Sequence, residues 1–121
     1  MDSLSEQQSD FVEEVGLWYE DYGQRSLGKI FGVLLITDAP LSQEDLMRLL
    51  NLSRSSVSTG LRWAERFDLV EPVSIPGERK KYYQITPDLI DMIVSALSRR
   101  IEHAIELFTK AMEVAEPGAR Q

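Results

Sequence analysis

The sequence has no cysteine and a single histidine, His103. Without thiols there is neither a disulfide framework nor a thiolate metal site, and one imidazole leaves almost no material for zinc, so no metal and no cofactor is expected. A nucleophile, a base and an orienting group cannot be assembled from this stock, and no glycine-rich phosphate loop follows a strand, which argues against an enzyme. Long apolar runs are missing as well. Nothing approaches the ~18 consecutive residues of a membrane span, and residues 1–10 are polar and acidic where a signal peptide would be apolar. We therefore expect a cytoplasmic protein with no membrane partner. A chain of 121 residues with 43% hydrophobic content fits one domain, 1–121, with a modest core.

Positive charge is also scarce, since the net charge is −7. That counts against nucleic acid, whose binding is driven by Lys and Arg displacing counterions. The distribution reverses the inference. Residues 1–23 hold seven acidic groups and no basic one, whereas residues 24–86 hold nine basic against seven acidic. The cations gather in two places, around Arg54 and Arg62 and at Arg79, Lys80 and Lys81.

Periodicity and punctuation then divide the chain. A first helix over about 4–22 opens with Ser5 and Gln8 at capping-box spacing and closes at Gly23. Phe11, Val15, Trp18 and Tyr22 recur at helical intervals and share a face. A second helix over about 24–37 turns Leu27, Ile30, Phe31, Leu34 and Leu35 inward, with Gly28 and Gly32 leaving room for a close neighbour; Pro40 follows its end. Ser42 and Asp45 cap a third helix, and the turn Asn51-Leu52-Ser53 leads to a fourth over 54–67, with Ser53 as its N-cap. Two strands, 70–75 and 80–85, match Val73 and Ile75 to Tyr83 and Ile85 around Pro76 and Gly77, and Pro72 places the first of them at a sheet edge. Thr86 is a candidate N-cap for the last helix, with Pro87 and Asp88 after it.

The order helix, turn, helix, two-stranded wing points to a mainly α fold with a small β-wing, a winged helix-turn-helix. Val57, Leu61 and Ala64 of the fourth helix should face inward, leaving Ser53, Arg54, Ser55, Ser56, Ser58, Thr59 and Arg62 as a polar face. Serine and threonine are poor helix formers, so their accumulation is not what an unconstrained surface selects. Hydroxyls and guanidinium groups do suit phosphate oxygens and base edges in a major groove. Arg79, Lys80 and Lys81 supply phosphate or minor-groove contacts from the wing, or else only protect a sheet edge. Double-stranded DNA is the expected partner. A protein-protein interaction module is the alternative that the overall acidity would suit.

The last helix carries Leu89, Ile93, Leu97, Ile101, Ile105, Phe108, Met112 and Ala115 every three or four residues. That stripe is too long for the winged-helix body to cover, so a homodimer is expected, with Phe11, Val15, Leu97, Ile101, Ile105 and Phe108 in its interface. Residues 1–23 and 87–121 thus become dimerisation helices flanking a winged helix-turn-helix at 24–86. Trp18, Tyr22, Phe31 and Phe108 are candidates for a small-molecule effector pocket, where aromatic faces near Glu14, Glu20 or Asp21 would enclose a cation. Trp18 and Tyr22 also share the Phe11 stripe, which suits dimer core better than a cage.

The chain resembles the MarR superfamily and, within it, the GbsR-like repressors. The likeness lies in the run from Leu27 through Gly28, Lys29, Ile30, Phe31 and Gly32 to Leu35; in Ala39-Pro40-Leu41-Ser42; in Ser53 to Arg62; and in Pro76-Gly77-Glu78-Arg79-Lys80-Lys81-Tyr82-Tyr83. It implies a dimeric repressor or activator whose terminal helices intertwine and whose second helix-turn-helix element enters the major groove. It also implies control by osmoprotectants or precursors, such as glycine betaine or choline. Gly60 departs from the pattern, standing where similar helices commonly carry a polar residue.

Overall fold

Ser5 and Gln8 close the start of α1 (Glu6–Glu20) reciprocally: the Ser5 amide donates to Gln8 Oε1 at 2.9 Å and the Gln8 amide donates to Ser5 Oγ at 3.1 Å. In this computed structural model residues 2–20 and 24–118 are described. The expected stop at Gly23, and Tyr22 before it, lie outside them. The remaining order is α2 (Arg25–Leu35), β1 (Leu41–Ser42), α3 (Gln43–Leu50), α4 (Arg54–Arg66), β2 (Val70–Ser74), β3 (Lys81–Ile85) and α5 (Leu89–Val114). Contacts divide the chain into two units, residues 1–87 and 88–121.

α2 is the core of the first unit. Seven of its eleven residues are buried, among them Leu27, Ile30 and Val33 without residual exposure. Against it pack Val12 of α1, Leu46 and Leu50 of α3, Val57, Leu61 and Ala64 of α4, and Val70 of β2. The inward positions expected of α4 are therefore the inward positions found.

The stripe expected along the first helix lies off this core. The buried residues of α1 are Val12 and Gly16, whereas Trp18, on the stripe with Phe11 and Val15, is 71% exposed. Glycines explain the shift. A Cβ on Gly28 would lie 2.6 Å from the Val15 carbonyl oxygen and 2.9 Å from Gly16 Cα, and one on Gly32 would lie 3.2 Å from Val15 Cβ. The two helices touch nearly backbone to backbone, so the contact line selects the smallest side chains and the aromatic stripe falls beside it. Two cations of α2 hold this crossing from outside: Lys29 Nζ lies 2.9 Å and Arg25 Nη2 3.0 Å from the two oxygens of Glu13. The Lys29 hydrogen bond, followed by that of Arg25, lowers the Glu13 pKa.

The sheet has an extra strand. Its order is β1-β3-β2, antiparallel throughout, with Leu41 opposite Tyr83 and Ser42 opposite Tyr82. A two-residue strand carries no periodicity of its own, which is why the sequence did not mark it. Pro72 does sit on an edge strand. The expected match of Val73 and Ile75 to Tyr83 and Ile85 is wrong, because Val70 faces Ile85, Pro72 faces Tyr83, Val73 faces Tyr82, and Ile75 lies beyond the strand. Burial of Val70 sets that register, since a slip of one residue would turn it to solvent. At the tip, the Glu78 amide donates to the Ile75 carbonyl at 3.0 Å and Gly77 has φ +85°, a turn with Pro76 first and a left-handed glycine second.

α5, taken by itself, also corrects an expectation at its start. Asp88, not Thr86, is the N-cap; its backbone is left-handed and its side chain makes no capping bond. Thr86 instead donates its amide to the Leu69 carbonyl. Along α5 only Leu89 is buried, and Leu97, Ile101, Ile105 and Phe108 are each more than half exposed. No helix among the described residues is long and apolar enough to cross a membrane.

The α1–α2 crossing yields a first prediction. Gly28→Ala gains about 1 kcal/mol of helix propensity but drives a methyl into backbone, where overpacking costs ~1–3 kcal/mol or more. The variant should unfold at lower denaturant concentration than the parent; an unchanged or higher midpoint would show that the crossing is looser than described.

Candidate nucleic-acid interface

Ser42 ties the helix-turn-helix to the sheet. It is 2% exposed, pairs within β1, and its hydroxyl accepts from the Asp45 amide at 3.1 Å while its own amide donates to Asp45 Oδ2 at 3.0 Å. Burial pushes the Asp45 carboxyl up, but the Ser42 amide, the Ser42 hydroxyl and Arg48 together outweigh it and leave the pKa lowered from its ordinary 3.8. At the far end Asn51 turns left-handed at φ 52°, and the Leu52 amide returns to the Met47 carbonyl at 3.2 Å. Ser53 then starts α4, its hydroxyl accepting from the Ser56 amide at 3.2 Å.

α4 presents the polar face. At about 3.6 residues per turn, Arg62 and Ser55 lie at the centre of the exposed arc, with Arg54 and Ser58 on one flank and Thr59 on the other. The ten residues expected to contact DNA are not equivalent. Ser53 and Ser56 serve the cap, their hydroxyls 3.0 Å apart. Ser58 is engaged by Gln43, whose Nε2 donates to its Oγ at 2.7 Å and to the Arg54 carbonyl at 3.3 Å. Arg54 Nη1 stands 3.9 Å from Glu44 Oε1, a loose and exposed pair. Arg62, Arg79, Lys80 and Lys81 are exposed and have no ion-pair partner among the described residues. Lys80 and Lys81 border an open hollow with Gln43, Glu44 and Tyr83, which brings wing and α3 together.

α4 begins with a cation and has no acidic residue in its first turn. The helix dipole favours the opposite arrangement, so an external anion there would supply the missing charge. Gly60 is not a gap in this face. It is buried, and a Cβ on it would lie 2.6 Å from Ile30 Cδ1 and 3.2 Å from the Leu27 amide nitrogen.

Sequence reasoning missed Gln43, the brace between α3 and α4, because nothing in its local pattern distinguishes it from a surface residue. It also missed Arg66, whose guanidinium sits 4.8 Å from the centre of the Trp63 ring, itself stacked on Phe67. Of the candidate effector residues, Trp18 and Phe31 border a shallow cleft with Glu14, Val15, Tyr19 and Leu35. Phe108 belongs to the other unit, and no group of three or more His, Cys, Asp or Glu among the described residues could hold a metal ion.

A solved transcriptional regulator superimposes with a TM-score of 0.66 at 23% identity, covering 90% of this chain and 78% of the other. The chain has a winged helix-turn-helix fold. The transcriptional regulator Tm0710 of Thermotoga maritima matches with a TM-score of 0.53 at 18% identity, over 87% of this chain and 75% of its own. By sequence, the chain is 31% identical over 81 residues to the HTH-type transcriptional regulator MmpR5 of Mycobacterium tuberculosis, across 65% of this chain and 49% of that protein. It thus spans about half the length of that relative. No model of a known protein family matches the sequence. All three of these proteins are named as transcriptional regulators.

The Ser42–Asp45 pair gives the second prediction. A lowered carboxyl pKa adds stability above the unfolded value and loses it as pH falls through the folded one. Asp45→Asn should therefore cost about 1 kcal/mol near neutrality, as capping losses do, and the difference from the parent should shrink below pH 3.8. Denaturant titrations at pH 7 and pH 3 test this; a difference that stays constant or grows in acid would contradict the assignment.

Proposed function

We propose that this chain is a sequence-specific DNA-binding transcriptional regulator of the MarR type, acting as a homodimer. The observation that carries the proposal is the exposed face of α4, where Arg62 and Ser55 are central and the first turn holds a cation but no acid, beside a wing whose Arg79, Lys80 and Lys81 are unpaired among the described residues. α4 enters the major groove and the wing follows the adjacent backbone. The dimer is supported by α5, whose Leu97, Ile101, Ile105 and Phe108 would leave a costly apolar stripe in water without a second copy. Phe11 of α1 is exposed enough to join it, whereas Val15 is partly occupied against Gly32.

The narrower assignment, a cytoplasmic GbsR-like repressor answering to choline or glycine betaine, rests on the resemblance in sequence. The cleft at Trp18 and Phe31, with Glu14 beside it, offers an aromatic and acidic surface for such a cation. Tryptophan fluorescence during choline titration, read together with DNA affinity, tests it.

Arg62→Ala should cost ~1–3 kcal/mol of binding to a selected operator and relax the preference at one position in each half-site. Arg79→Ala should weaken all sequences alike and flatten the salt dependence. Equal affinity for every sequence, with no dependence on salt, would defeat the DNA reading and favour a protein-binding winged helix. Ile101→Asp should give monomer or aggregate in sedimentation, and an unaltered dimer would remove α5 from the interface.

A further inference from the structure

The recognition helix is flanked on one side by the start of α2. Ser55, Ser56 and Thr59 of α4 face Gln24, Arg25 and Ser26 across an open groove of about 370 Å³. All six lining side chains are polar, none is acidic, and one is a guanidinium. Gly60 explains the juxtaposition: a Cβ there would meet the backbone of Ser26 and Leu27 at 3.2 Å, so α4 and the first turn of α2 stand almost in backbone contact.

Among the described residues the charge at this groove is unbalanced. Arg25 pairs with one oxygen of Glu13, but Lys29 already holds the other, so two cations share one carboxylate. Arg25 keeps about half of its side chain exposed, and the hydroxyls of Ser26 and Thr59 have no hydrogen-bond partner among the described residues. A guanidinium with an amide and free hydroxyls fits the tetrahedral oxygens of a phosphate. One wall of the groove is the same helix that carries Arg62, so the phosphate that reaches it belongs to the backbone of the DNA being read.

We propose that Arg25, with Ser26 and Thr59, binds a DNA backbone phosphate on the α2 side of the recognition helix, extending the contact surface beyond the helix-turn-helix and the wing. This rests on the DNA-binding reading given above. The clamp fixes the depth and tilt of α4 in the groove, since phosphate contacts set register without carrying sequence information.

The test uses the whole chain and an operator duplex selected from random DNA. Arg25→Gln should lower affinity about tenfold, the scale of a charge-assisted bond, and reduce the slope against salt by roughly one for each phosphate contact removed. Glu13→Gln breaks the same ion pair but keeps the guanidinium, so it should retain or exceed the parent affinity. A duplex with one neutral methylphosphonate at the contacted phosphate should weaken the parent chain and leave Arg25→Gln no weaker than on the unmodified duplex. Parent-like affinity and slope for Arg25→Gln, or an equal loss in Glu13→Gln, would overturn the clamp while DNA binding stands. A parent chain that binds no duplex would overturn both.

Discussion

At Gly28 and Gly60, α2 is approached by α1 on one side and α4 on the other, each to within the space a single methyl group would occupy. At Gly28 the obstacle is backbone and no rotamer change relieves it; at Gly60 the nearest atom is the end of the Ile30 side chain, with the α2 backbone at 3.2 Å behind it. These contacts fix α4 against the core more firmly than its own intrinsic preferences would. Freed from any need to be self-sufficient, α4 can spend its outer surface on residues that weaken an isolated helix.

That surface shows a conflict between local and global preference. Serines, a threonine and an Arg without a first-turn acid all lower the stability of α4. Gln43 and Ser53 offset part of this from outside, one by bracing Ser58 and the Arg54 carbonyl, the other by capping. Local rules broken on one face and repaired on its edges are characteristic of a surface shaped for a ligand. An anion aligned with the start of the helix resolves the conflict by adding the missing charge, so binding and helix stability would rise together.

The sequence marked those elements whose signal is local. Reciprocal capping at Ser42 and Asp45, the turn at Asn51, the inward triad of α4 and the left-handed glycine of the wing all follow from neighbours within a few residues. What escaped it depends on distant partners. β1 exists only because β3 lies beside it, and the wing register follows from burial of Val70 rather than from alternation. Which face of α1 is buried likewise depends on α2: the crossing runs past Gly16 and Gly28, buries Val12 and leaves Trp18 exposed. Gly60, read as a missing polar contact, is where α4 meets α2. The groove beside Arg25 needed two helices in place before its residues formed a set.

The apolar stripe of α5 bears on affinity as well as assembly. An isolated winged helix with a few phosphate contacts and two or three base-reading side chains binds DNA weakly and loses much of that affinity as salt rises. Two copies held by their terminal helices turn the second half-site contact into an intramolecular event, which can raise affinity by ~10²–10⁴ without any new contact, but only when the spacing of the recognition helices matches the DNA. On the proposed reading, an acidic protein with little positive charge to spare gains specificity from this arrangement. Each half alone is too weak to hold non-specific DNA, and only an inverted repeat of the correct spacing engages both. A ligand that altered that spacing would act on the linkage between the halves, through its different affinity for the two arrangements.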